Sequence, residues 1–272
     1  MPELPEVETL KRCLEQRILG ATINKLDKRR DNIRYRLSDH LESDVKSAKI
    51  IALKRRAKYL LIDLDNYYSI IVHLGMTGRL TLQPSDYQLQ KHDHVIFSLG
   101  TCEKLVFNDS RRFGMIYTGQ TKLLEETFLA NLGVEPLSED MSYEYLKIKL
   151  LNRSVPIKNL LMDNRIIVGV GNIYASESLF MAKIHPGRLG SSLSNNEISN
   201  LLLAVKHVLT KAISAGGTTL KDFVSGDSKP GYFQQELQVY ARENQNCLNC
   251  QGIIRKIKQS GRASFYCATC QE

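Results

Sequence analysis

The chain has 272 residues, 43% of them hydrophobic, with 37 Lys and Arg against 29 Asp and Glu, a formal charge of +8. That length holds two domains or one large one, and the basic balance points to a polyanionic partner such as nucleic acid. No apolar run reaches the roughly 18 residues of a membrane-spanning helix, and Glu3, Glu6, Glu8, Lys11 and Arg12 interrupt any signal-peptide core. A cytoplasmic protein is expected, whose six cysteines serve as ligands or buried thiols rather than disulfides.

The first six residues, Met1-Pro2-Glu3-Leu4-Pro5-Glu6, carry two readings. As a helix start, Pro5 occupies the first position, and Glu6 and Glu8 complement the helix dipole. As chemistry, removal of Met1 leaves the secondary amine of Pro2 beside the carboxylate of Glu3. An α-amino group titrates near about 7.7–8.0, so part of it is an unprotonated nucleophile able to form a Schiff base with a sugar carbon. Glu3 is then the paired acid or base.

Val7, Leu10, Leu14 and Ile18 recur at helical spacing, and Gly20 closes the helix. Strand patterns follow at 21–26, 47–55, 58–64, 68–74, 78–83, 93–99, 104–108 and 114–118, punctuated by Asp65-Asn66, Gly75, Gly78, Gly100 and Gly114. Many short strands after one helix predict a β-sandwich or barrel-like domain ending near residue 133. Within it, the run Lys54-Arg55-Arg56-Ala57-Lys58-Tyr59 is either a solvated sheet edge or a seat for a nucleic-acid backbone. Met76 in the turn 73–78, and Arg111 with Phe113 in 108–114, read as core and surface residues. They also read as a wedge that fills the gap left by an extruded base. Lys91-His92-Asp93-His94 lacks a further ligand at fixed spacing, which favours phosphate contact or structural hydrogen bonding over a metal.

The pattern then turns helical: 123–132 stopped by Gly133; 143–151; a helix capped by Ser154 with Pro156 in its first turn, running to Met162; and 173–182 after the turn Gly169-Val170-Gly171-Asn172. Ser194 and Glu197 form a capping box before a helix reaching Ile213, ended by Gly216-Gly217. Asn172 at a helix start, with Lys158 upstream, fits phosphate capture. Residues 217–234 are Gly-, Ser- and Asp-rich without period and read as a mobile loop.

Cys247-x-x-Cys250, sixteen residues, then Cys267-x-x-Cys270 matches four-cysteine zinc spacing. The alternative is a disulfide pair or unused thiols. Two strands, 253–257 and 263–266, join through a turn at 259–262 and carry Arg255, Lys256, Lys258 and Arg262, a basic tip suited to phosphate. Cys13 and Cys102 have no partner motif.

Taken together these stretches resemble bacterial formamidopyrimidine-DNA glycosylases over essentially the whole chain. The resemblance rests on PELPEVET at the start, RRAKYLL at 55–61, HLGMTG at 73–78, KHDHV at 91–95, SRRFG at 110–114, GVGNIYASE at 169–177, GGTTLKDF at 216–223, KPGYFQQELQVY at 229–240 and the four cysteines. It departs at Ser110, where proline is common, and at Ser228 and Ala241, where glycine is. The family implies an α+β fold: an N-terminal catalytic β-sandwich (1–133), a helix–two-turns–helix DNA-binding domain (134–228) and a zinc-finger β-hairpin (229–272) holding one structural Zn2+. DNA lies in the cleft between the domains. It implies base-excision repair of oxidised purines in double-stranded DNA, followed by cleavage of the abasic strand, by a cytoplasmic, nucleoid-associated monomer.

Position by position, the resemblance makes Pro2 the nucleophile, Glu3 the proton donor, Lys58 the phosphate-binding donor for β-elimination and Arg262 the residue of δ-elimination. His73, His92, Arg153, Lys158 and Asn172 match DNA contacts. Met76, Arg111 and Phe113 match the void-filling trio, with Arg111 facing the orphaned cytosine. The stretch 217–230 matches a cover over the flipped purine. The related endonuclease VIII type, which prefers oxidised pyrimidines, a non-catalytic damage clamp and an RNA-binding zinc protein are the rival readings.

Overall fold

The computed structural model describes residues 2–218 and 232–272. Their backbone forms two compact units, one drawn from Met1–Asn131 and Ala215–Gln234, the other from Leu132–Ser214 and Gln235–Glu272. Most of the loop read at 217–234, Ser228 included, lies outside the described residues.

The first unit opens with α1 (Leu4–Ile18), which buries Leu4, Val7, Leu10, Leu14 and Ile18. These positions recur at helical spacing and make one apolar stripe. The helix begins a residue earlier than expected, so Pro5 is its second residue, where its missing N–H is still no loss.

Eight strands follow: β1 (Ile23–Lys28), β2 (Ile50–Arg56), β3 (Tyr59–Leu64), β4 (Tyr68–His73), β5 (Arg79–Pro84), β6 (Asp93–Leu99), β7 (Glu103–Asn108) and β8 (Met115–Gln120), with the short α2 (Leu41–Val45) after β1. They form two antiparallel four-stranded sheets, ordered β1-β6-β7-β5 and β2-β3-β4-β8. Leu60, Ile62 and Leu64 of β3 join the main core with Leu10, Leu14, Phe97 and Phe107. Leu61, on the opposite face, packs with Ile71, Met115 and Leu124. Strand β3 is therefore buried on both faces, which is why it reads as an unbroken apolar run. Leu124 ends α3 (Thr121–Leu124), which continues as a π-helical turn over Glu125–Leu129.

The second unit contains α4 (Tyr143–Leu150), α5 (Ile157–Leu161), α6 (Asn172–Met181) and α7 (Asn195–Ser214), then the hairpin β9 (Ile254–Gln259) and β10 (Arg262–Cys267). Ser142 caps α4 through the Tyr145 N–H at 3.1 Å. Before α7, Ser194 and Glu197 form the expected reciprocal box, Glu197 accepting from the Ser194 N–H at 2.7 Å and donating its own N–H to the Ser194 hydroxyl at 3.3 Å. Ser154 does not cap α5; Pro156 is the cap residue. The residue before a proline is pushed to extended backbone, so Val155 cannot enter the helix.

Helix α6 is buried from Ile173 to Phe180. Its Glu177 carboxylate accepts the backbone N–H groups of Gln238, Val239 and Tyr240 at 2.9, 3.0 and 2.8 Å. Phe180 shares a core with Val239, Cys247, Ile254, Phe265 and Cys267, so the hairpin is built onto the helices. Ser260 and Gly261 both have positive φ, 45° and 79°, the conformation of a two-residue turn matched to strand twist.

Candidate nucleic-acid interface and catalytic residues

Pro2 is buried and Glu3 is the cap residue of α1, 1% exposed. The Glu3 N–H donates to Glu6 Oε2 at 2.9 Å, half of a reciprocal box between the two glutamates. The helix-start reading and the catalytic reading of these residues are thus compatible: the box that starts the helix also fixes the chain that carries Pro2 and Glu3. Glu6 Oε1 accepts the N–H and the hydroxyl of Thr218 at 2.8 and 2.9 Å. Gly217, at φ +78°, lies so close that a Cβ there would stand 3.0 Å from the same oxygen. Nothing in the local pattern pointed to Glu6 as a buried anchor.

The basic run at 54–58 splits into two roles. Lys54 pairs with Asp63 at 2.7 Å and Arg55 with Glu8 at 2.8 Å, the latter tying β2 to α1. Lys58 sits with Ala57, at φ 54°, on the two-residue turn between β2 and β3. It is half-buried, and its charge reaches His73.

His73 ends β4 with its ring 5.0 Å from that of Tyr59. Its Nδ1 accepts the Gly75 N–H at 3.0 Å, which leaves Nε2 as the protonated nitrogen of the neutral ring. Burial, then the charges of Lys58 and Arg34, pull its pKa down to about 4. At neutral pH it is an uncharged N–H donor.

Met76 and the pair Arg111 and Phe113 come from two loops locked together. A Cβ on Gly75, at φ +64°, would stand 2.4 Å from the Phe113 carbonyl carbon, so only glycine permits this approach. Asp109, fully buried, completes the lock. Its Oδ1 accepts the Thr77 hydroxyl at 2.5 Å and the Arg111 N–H at 3.2 Å, and its Oδ2 the Gly114 N–H at 2.7 Å. The Arg111 guanidinium stacks 4.7 Å above the Phe113 ring, which is 44% exposed. Both are available as a wedge, and Met76 is half-buried beside them. These residues, with Asn32, Ile33, Arg34, His73 and Arg112, line a cavity of about 730 Å³. Asn32 and Arg34 carried no motif in the sequence.

His92 is half-buried, its ring 6.3 Å from that of His94. Asp93 and His94 are structural: Asp93 accepts the Gln90 N–H and the Asn108 amide, both at 2.7 Å, and His94 Nε2 bonds the Asp109 carbonyl at 2.8 Å. They join no cluster of metal-ligating side chains among the described residues.

In the second unit Arg153 is exposed between α4 and α5, and Arg262 is exposed at the start of β10. Asn172 is the first residue of α6, where backbone N–H groups lack helical partners. Lys158 departs from the expectation of a surface contact. It is 1% exposed, and its ammonium donates to Asn172 Oδ1, the Ala263 carbonyl and Ser264 Oγ at 2.5, 2.9 and 2.7 Å.

The four cysteine sulfurs all lie within 4.8 Å of one another, with Cys250 and Cys267 at 3.4 Å and Cys247 and Cys270 at 3.9 Å. Tetrahedral Zn2+ with bonds of about 2.3 Å spaces its sulfurs by about 3.8 Å, so the four thiolates fit it. Burial and the other three sulfurs push the Cys270 thiol up to about 12, as expected of a cluster that needs a cation to ionise.

Comparison with known proteins covers the whole chain. Residues 1–116 match a formamidopyrimidine-DNA glycosylase N-terminal domain, 132–224 a formamidopyrimidine-DNA glycosylase H2TH domain, and 244–272 a zinc finger found in these proteins and in IleRS. The zinc-finger match and the sulfur geometry assign one structural zinc. Formamidopyrimidine-DNA glycosylases of Rickettsia bellii and Rickettsia canadensis are 62% and 60% identical, each over all of this chain and 99% or more of their own. A Lactococcus lactis enzyme in complex with Fapy-dG-containing DNA is 33% identical with TM-score 0.94, covering 100% of both chains. The Thermus thermophilus protein is 36% identical with TM-score 0.90, covering 99% of this chain and 98% of its own. Another L. lactis complex holds abasic-site DNA.

Proposed function

Since the chain belongs to the formamidopyrimidine-DNA glycosylase family, we propose that it excises oxidised purines from double-stranded DNA and cleaves the resulting abasic strand through a Schiff base on Pro2. The observation that carries this reading is the start of α1. A proline that becomes an N-terminal secondary amine precedes a carboxyl residue which is 1% exposed and held by Glu6.

With Met1 removed, the Pro2 nitrogen attacks the deoxyribose anomeric carbon as the bond to the base breaks. Glu3 delivers a proton to the ring oxygen or the departing base, and opening of the ring leaves an iminium between Pro2 and the sugar. The iminium acidifies the adjacent sugar hydrogen. Its loss expels the 3′ phosphate, and a second elimination expels the 5′ phosphate. Lys58 serves the first elimination and Arg262 the second. Water then hydrolyses the iminium and frees Pro2. One amine thus serves both activities, and the chemistry consumes no redox equivalent.

Extruding a base costs a few kcal/mol, and Met76, Arg111 and Phe113 offset the lost stacking by filling the gap. Arg111, whose guanidinium suits the acceptors of a base edge, faces the orphaned cytosine. His73, His92, Arg153 and Asn172 hold the backbone. His73 does so without charge, which spares it the salt sensitivity of a lysine contact.

The test is borohydride trapping on a duplex with 8-oxoguanine opposite cytosine, after intact-mass confirmation that Met1 is absent. A covalent adduct mapped to the Pro2 nitrogen is expected. Stronger trapping on thymine-glycol DNA would favour the pyrimidine-directed relative. Absence of any adduct from Met1-free, zinc-loaded protein that binds DNA would mean a clamp without catalysis.

A further inference from the structure

We infer that Lys158 is a positioning residue for phosphate binding and does not itself contact DNA: its buried ammonium orients the Asn172 amide and fixes β10 behind Arg262. This rests on the reading that the chain binds duplex DNA through Asn172 and Arg262.

An ammonium has three N–H donors and no acceptor. At 1% exposure its charge is stable only if those donors are satisfied. They find three oxygens, of Asn172, Ala263 and Ser264, at 2.5, 2.9 and 2.7 Å. The set of acceptors is complete within the protein, and a phosphate would have to displace one of them.

Each of the three bonds has a consequence. Lysine only donates, so the Asn172 atom at 2.5 Å must be its oxygen. The amide nitrogen then points the other way, as a donor at the first residue of α6. The Ala263 carbonyl and Ser264 hydroxyl belong to the two residues after Arg262. Holding them fixes the point on β10 from which Arg262 projects. Next along α5, the Asn159 amide donates to Ser260 Oγ at 2.9 Å, at the hairpin turn. Residues 158 and 159 together bind α5 to the tip of the hairpin and the strand residues next to it. A buried charge removed from such a network leaves three unsatisfied oxygens, so the site is sensitive to substitution without touching the ligand.

The experiment measures binding of a duplex carrying a tetrahydrofuran abasic analogue by fluorescence anisotropy at several salt concentrations. Wild type, Lys158→Met, Asn172→Ala and the double variant are compared, with zinc content and thermal unfolding checked for each. Lys158→Met should weaken binding about tenfold or more. Asn172→Ala should then cost far less in the Lys158→Met background than in wild type. A phosphate-contacting lysine gives the opposite result: independent effects of the two substitutions.

Amine acetylation of the wild-type protein, read by peptide mass spectrometry, keeps the test open if the Met variant does not fold. Lys158 should stay unmodified with and without DNA. Modification in the free protein that DNA suppresses would overturn the inference. Failure of wild type to bind the duplex at all would instead overturn the functional reading, which the acetylation pattern of the free protein does not depend on.

Discussion

Glu6 and Thr218 lie 212 positions apart in the chain, and the Glu6 carboxylate takes both the N–H and the hydroxyl of Thr218, at 2.8 and 2.9 Å. The other oxygen of the same carboxylate takes the Glu3 N–H. One buried acid therefore holds the proposed catalytic terminus and the segment leaving α7. Thr218→Val removes one donor and leaves the carboxylate undersatisfied, at a cost of about 1–3 kcal/mol. The expected outcome is lower thermal stability and a slower single-turnover excision rate. Unchanged values of both would show that the contact has no part in shaping the site.

Asp109 is expected to matter more than its distance from Pro2 in sequence suggests. It binds Thr77 from one wedge loop and Arg111 and Gly114 from the other. Asp109→Ala should lower stability by about 1–3 kcal/mol. It should also slow excision of a paired lesion more than cleavage of a pre-formed abasic site, because the wedge acts on base extrusion. Comparing the two substrates under single-turnover conditions checks this. Equal losses on both would point to general unfolding.

His73 gives a pH dependence of known sign. Its folded pKa lies near 4, below the ordinary value of 6.5. Between those values the unfolded chain binds a proton that the native ring refuses. Stability therefore falls as pH drops from about 6.5 toward about 4 and levels off below. Because His73 is only partly buried, we expect about 1–2 kcal/mol in all, less than the full shift implies. In His73→Asn that component should vanish, so that the difference between the two urea-derived stability profiles varies over this window. Parallel profiles would refute it.

Ala241 adopts φ 60°, the left-handed region that costs a residue with a Cβ roughly 1–2 kcal/mol. Ala241→Gly relieves that cost against a greater loss of chain entropy. It should raise stability by about 0.5 kcal/mol, seen as a small rise in Tm. A fall would mean that the Ala241 methyl group contributes more in contacts than it costs in strain.

Removal of zinc should act on the second unit. The sulfurs of Cys247 and Cys267 share a core with Phe180 and Ile254, so chelation under mild denaturation loosens both hairpin and helices. DNA binding should fall at least tenfold and return on adding zinc. Undiminished binding after verified zinc loss would show that the hairpin stands without its metal.

Local chemistry was legible in the chain itself. The apolar stripe of α1, the strands marked off by glycines, the capping box at Ser194 and the paired cysteines each depend on neighbours a few residues apart, where periodicity and spacing carry the information. They set Pro2 and Glu3 at the opening of the first helix, Asn172 at the start of another and the four cysteines in one module, while Lys58 and Arg262 each fall one residue across the expected strand boundary. The start of α5 was misread because a serine in capping position competes with the stiffness of the residue before Pro156, and the stiffness won.

Tertiary structure alone decided which charges are spent inside the protein. Lys54 and Arg55 meet Asp63 and Glu8 across strand and helix pairs, and Lys158 meets residues more than a hundred positions away. A lysine that grips phosphate and one that grips a carbonyl look alike in sequence, because the difference lies in what the fold brings to the end of the side chain. The same holds for Glu6, Asp109 and Glu177: as letters they are surface acids. Each becomes an anchor only where folding closes solvent off and aims backbone N–H groups at the carboxylate.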